Sequence, residues 1–74
     1  FDAPKVPAVI HLENIAGRFT LYLCGERVLD SADEAVHSYE VPVPARLRGS
    51  RAGLTMVFTC TGGTVRIGEV YVQT

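Results

Sequence analysis

The chain reads as all-β: a small antiparallel β-sandwich or jelly-roll-like fold of about five to six short strands. Three observations predict this. The runs "RFTLYL" and "LTMVFTC" place their side chains alternately on two faces, the period of a half-buried strand. Glycines, prolines and short polar clusters interrupt the chain at strand-length intervals. No stretch combines helical spacing of apolar residues with the start and stop signals of a helix.

Each element follows from its residues. "VPAVIHL", Val6 to Leu12, is rich in β-branched and apolar residues, with Pro7 suited to a strand start or an edge. "ENIAG" is the turn after it, ending on Gly17. In "RFTLYL", Phe19, Leu21 and Leu23 share one face, and Thr20 and Tyr22 the other. Cys24-Gly25 is a two-residue hairpin turn in which Gly25 accepts positive φ, and "ERVLD" is the returning strand. Ser31 and Glu34 have the spacing of a capping box, so "SADEA" is expected to be a loop with at most one helical turn. "VHSYEVPVP" is extended, with His37, Tyr39, Val41 and Val43 on one face, and its prolines suit an edge strand. After the loop "RLRGSRAG", Leu54, Met56, Phe58 and Cys60 line one face of the next strand. "TGGT" is a tight hairpin, and "VRIGEVYV" closes the chain. There, Val65 and Ile67 have the opposite parity to Val70 and Val72, which places a bulge at Gly68.

Composition narrows the function. A single domain of 74 residues has a small core, and 47% hydrophobic with 20% charged residues implies that part of its apolar surface faces a partner. The net charge of -1 creates no field for nucleic acid or anionic membranes. Arg46, Arg48 and Arg51 cluster in a small-residue loop that reads as solvated rather than as a phosphate site. The apolar runs are far shorter than a membrane span. A start at Phe1 rather than Met leads to the expectation of a domain excised or processed from a larger chain.

Reactive residues are few. Cys24 and Cys60 are candidates for a disulfide, and the competing reading is two thiols packed as small apolar residues. A bridge would favour an extracellular setting; without one, the compartment stays open. Cys24, Cys60, His11 and His37 are zinc-type ligands, but no short Cys or His pairing fixes a geometry, so no metal site is expected. His37 and Ser38 are neighbours on a strand and point to opposite faces, which separates base from nucleophile. Asp30, Asp33 and Glu34 lack the spacing of a calcium loop, and Gly62-Gly63 precedes no helix that would bind phosphate. The expectation is a protein that is not an enzyme and has no cofactor.

Tyr22, Tyr39 and Tyr71 remain as candidate ligand-binding residues, since aromatic faces stack on sugars or fill protein interfaces. The order "VIHLENIAGRFTLYLCGERV", "HSYEVPVPARLRG", "LTMVFTCTGGTVRIGEVYV" resembles the small calcium-dependent xylan-binding carbohydrate-binding modules in strand order and hydrophobic pattern across most of the chain. That resemblance implies a β-sandwich that holds sugar through calcium, bound by acidic residues in the last loop and at the start of the final strand. Here the loop reads Thr61, Gly62, Gly63, Thr64, Gly68 stands in place of the family's aspartate, and Glu69 supplies the carboxylate.

Two functions are therefore expected. The first is a non-catalytic structural or interaction module that packs a sheet face or an edge against a protein partner or another copy. The alternative is a carbohydrate-binding module using Tyr22, Tyr39, Tyr71 and Glu69, with calcium only in that case.

Overall fold

The computed structural model describes residues 1–59 and 65–74. It contains six strands: β1 (Val9–Ile15), β2 (Arg18–Leu23), β3 (Glu26–Ser31), β4 (His37–Pro42), β5 (Leu54–Thr59) and β6 (Glu69–Gln73). A short 3₁₀ turn, Ala45–Leu47, interrupts the loop before β5. The strands form two three-stranded antiparallel sheets, ordered β4-β1-β6 and β3-β2-β5. The all-β expectation holds.

Alternation decides which side chains lie between the sheets. Ile10 and Leu12 from β1, and Phe19, Leu21 and Leu23 from β2, are almost wholly buried, joined by Ile15, Val41 and Val43. Each large side chain so buried contributes about 1.5–3 kcal/mol, and the central strands β1 and β2 supply most of them. Their flanking strands are less well covered. Leu54, Met56 and Phe58 of β5 face the same core but are only half-buried, as is Val72 of β6.

Both hairpin residues between β2 and β3 take positive φ, Cys24 at 52° and Gly25 at 81°, as a type I′ turn requires. Leu23 therefore pairs with Glu26 directly across the turn. Further along, Tyr22 pairs with Arg27 but Leu21 pairs with Leu29, so Val28 is an extra, bulged residue.

Three local expectations need correction. β1 does not span Val6 to Leu12: it starts at Val9 and runs through Glu13 and Asn14 to Ile15, and Ala16-Gly17 alone carries the chain from one sheet to the other. The loop expected from Ser31 starts one residue later, at Ala32, and contains no helical turn. Ser31 ends β3 as a buried residue, its Oγ 2.8 Å from the Tyr39 hydroxyl, and is thereby removed from capping. Asp33 organises the loop instead, its carboxylate accepting from the Ala35 N–H at 2.9 Å.

The third correction concerns the parity break in the last strand. The extra residue lies on β1, where Leu12 pairs with Tyr39 but Ile15 with His37, and Asn14 adopts φ 57°. Between β1 and β6 the offset is the same on both sides of the break, Glu13 with Glu69 and Ala16 with Arg66. Gly68 is thus not an inserted residue. It lies against the β1 kink so closely that a Cβ there would run into the Glu13 carbonyl oxygen and come within 2.9 Å of the Asn14 Cβ.

Candidate functional site

The three tyrosines stand in three different environments. Tyr39 pairs with Leu12 and so points between the sheets; its ring meets Phe19 edge-on at 5.4 Å and its hydroxyl meets Ser31. That contact ties β4 to the facing sheet and gives Tyr39 a packing role. Tyr22 is half-buried on the outer face of the second sheet, between Arg27 and Thr55 in register. Tyr71 is on the outer face of the first sheet and is 40% exposed.

Around Tyr71 the register builds a small polar cluster. His11 lies opposite both Tyr71 and Glu40, and Glu13 opposite Glu69, so five side chains from three strands share one face. The His11 and Tyr71 rings stack at 4.8 Å with 13° between their planes. His11 Nδ1 lies 3.8 Å from Glu13 and 3.7 Å from Glu40, and the Tyr71 hydroxyl donates to Glu13 Oε1 at 3.3 Å. Partial desolvation, followed by the nearby charges of Glu13, Glu69 and Glu40, raises the Tyr71 phenol above its ordinary value. Glu69 thus acts on Tyr71 through charge. The cluster joins residues far apart in sequence, and only the pairing of β1 with both β4 and β6 reveals it.

Other groups are satisfied locally. Asp33 accepts from the Ala35 N–H and meets His37 Nε2 at 2.7 Å, and these contacts lower its carboxyl below the usual value, the backbone bond most. Ser38 Oγ accepts from the Asn14 N–H, so it braces the β1 kink and is turned away from His37. Arg46 pairs with Glu26 on the surface, and Arg51 meets Asp2 through the backbone, as an isolated antiparallel β-bridge. Among the described residues, no group of three or more His, Cys, Asp or Glu side chains is placed to hold a metal ion. A cleft of about 200 Å³ lies beside Arg18, Thr20, Asp30 and Thr59, below the roughly 300–1,000 Å³ of sites that enclose small molecules. No helix among the described residues is long and apolar enough to cross a membrane.

Cys24 is exposed in its turn. Cys60, its suggested disulfide partner, lies outside the described residues, as do Thr61, Gly62, Gly63 and Thr64 of the loop compared with a calcium site.

The edges of the sheets differ more than their faces. At β3 the edge carries a bulge at Val28 together with Glu26, Arg27 and Asp30. At β4 it carries Glu40 and Pro42, and β6 starts with Glu69. These are the usual devices that stop a strand from recruiting another. β5 reads Leu-Thr-Met-Val-Phe-Thr, with no charge, no proline and an unbroken register to β2 from Leu54 to Thr59.

The direction of its hydrogen bonds follows from one contact. The Cys24 N–H donates to the Gly53 carbonyl at 2.8 Å, which makes Cys24–Gly53 a hydrogen-bonded pair. By alternation Thr55, Val57 and Thr59 bond to β2, and the N–H and C=O groups of Leu54, Met56 and Phe58 point away from it. Behind this edge sit the half-buried side chains of the same three residues, with Val57 52% exposed on the outer face. No protein family, curated protein or solved structure matches the chain.

Proposed function

We propose that this protein is a non-catalytic interaction module that accepts an extended strand along β5. The observation that carries this reading is the combination at one edge: outward backbone groups on Leu54, Met56 and Phe58, an uncharged six-residue strand, and an incompletely covered core behind it. Adding a strand there satisfies the backbone groups and covers the apolar side chains together, the chemistry of strand addition. The other three edges carry a bulge, a proline or charges that oppose it.

Amide hydrogen exchange tests this reading. A chain dilute enough to be monomeric is mixed with a synthetic peptide of alternating valine and threonine. Slowed exchange at Leu54, Met56 and Phe58, with no change at β4, supports the reading. Saturating peptide that leaves all three amides unchanged overturns it.

Tyr71, exposed above carboxylates, favours the carbohydrate alternative to a lesser degree, because Tyr22 and Tyr39 share no surface with it. Calorimetric heat with xylo-oligosaccharides, lost in Tyr71→Ala, would support that alternative.

A further inference from the structure

Resting on the strand-accepting reading, we infer that the strand β5 accepts is β5 of a second copy, antiparallel, with the two-fold axis passing through Met56. In an antiparallel pair, residues directly opposite each other lie on the same face of the sheet, so a two-fold pairing that matches face to face centres on a residue. Three described residues carry outward backbone groups: Leu54, Met56 and Phe58. They are symmetric about Met56. Centring there sets Met56 against Met56 and Leu54 against Phe58, and every outward N–H and C=O of the three finds a partner. Centring on Thr55 or Val57 leaves Phe58 or Leu54, respectively, without a partner from this set.

Side chains agree with that register. On the inner face the opposed pairs are Met56–Met56 and Leu54–Phe58, all apolar and half-buried in one copy, so each chain covers the other's open core margin. On the outer face Thr55 opposes Val57, both exposed and both suited to strands. No charge lies anywhere on β5, so the strand meets no like charge when it faces itself. At one end of the edge Phe1 already exchanges backbone hydrogen bonds with Ala52, at 2.7 and 2.8 Å, so the shared pairing runs from Leu54 to Phe58 and no further. The result is a continuous six-stranded sheet, β3-β2-β5-β5-β2-β3, shared by two chains.

The register makes a sharp test, because Thr55 and Val57 lie on the exposed face and oppose each other only when Met56 is on the axis. Thr55→Lys with Val57→Lys places lysine against lysine twice; Thr55→Lys with Val57→Glu places lysine against glutamate twice. Sedimentation equilibrium of the wild-type chain is expected to show a concentration-dependent monomer–dimer equilibrium. The double-lysine variant should weaken it by about tenfold or more, and the lysine–glutamate variant should match or exceed wild type. A wild type that stays monomeric at every concentration, or two double variants that weaken association equally, would overturn the second-copy inference. Circular dichroism of each variant at dilution guards against unfolding. Should a variant be unfolded, wild-type exchange at Leu54, Met56 and Phe58 decides: slowing with concentration supports the dimer, constancy refutes it. A monomeric chain that still protects those amides with the valine–threonine peptide leaves strand acceptance standing and removes the second copy alone.

Discussion

Replacing Cys24 by asparagine should make the protein more stable, although no tertiary contact improves. Cys24 holds φ 52°, where an ordinary L-residue carries a cost of roughly 1–2 kcal/mol, and asparagine avoids part of this by bonding locally to the backbone. The side chain is exposed, so the substitution removes no buried packing. The expected gain is about 0.5–1 kcal/mol, or a rise of about 2–8 °C in Tm for a domain of this size. Gly25→Ala is the matching control. Its φ is 81° and nothing lies within 4 Å of the added Cβ, so the loss of about 1 kcal/mol expected there is backbone strain alone. Thermal melts of the three proteins, with urea midpoints at unchanged m-value, measure both effects. A Cys24→Asn protein that melts lower than wild type, with Gly25→Ala unchanged, would refute the argument that backbone conformation governs this turn.

Other consequences follow from the packing. Gly68→Ala forces a methyl against the Glu13 carbonyl and Asn14, and should destabilise by about 1–3 kcal/mol in chemical denaturation. Ser31→Ala and Tyr39→Phe each leave the other's hydroxyl without its partner and should each cost about 1–2 kcal/mol; the double variant should recover about 0.5–1.5 kcal/mol of their sum in a mutant cycle. Tyr71 has a raised phenol, so its neutral form is the one the fold favours, and its stabilising contribution is complete below the ordinary tyrosine value near 10 and lost as pH rises through the folded value. The difference between ultraviolet titrations of wild type and Tyr71→Phe should place this phenol above 10, and Glu13→Gln should bring it down.

The strands were legible wherever alternation was clean. β2 and β5 follow their polar–apolar pattern to the residue or nearly so, and Cys24-Gly25 occupies the turn its glycine marks. Where the sequence misled, a tertiary contact had overridden a local signal. Ser31 has capping-box spacing, yet its hydroxyl is drawn into the sandwich by Tyr39. Gly68 breaks the alternation of the last strand, but the cause lies across the sheet in the αL conformation of Asn14. Tyr39 shares its face with the apolar Val41 and Val43, a local sign of the inner side, whereas its hydroxyl partner Ser31 comes from another strand and is set only by the packing of the two sheets.

The candidate docking edge was half legible. The absence of charge and proline from "LTMVFT" can be read directly, whereas its position at an edge depends on strand order. Hydrogen-bond phase is hidden as well, because it is fixed by the two-residue turn at Cys24-Gly25 and propagates through β2. The same holds for the Tyr71 cluster, which brings together residues from β1, β4 and β6.

The most direct measurement is the exchange rate of the β5 amides, residue by residue, as the chain is concentrated from a dilute monomer. Leu54, Met56 and Phe58 are expected to exchange fast when dilute and to slow together on concentration, while Thr55, Val57 and Thr59 are protected throughout by β2. Fast exchange of the first three at every concentration, and in the presence of the strand-forming peptide, would contradict the claim that this edge is a docking surface.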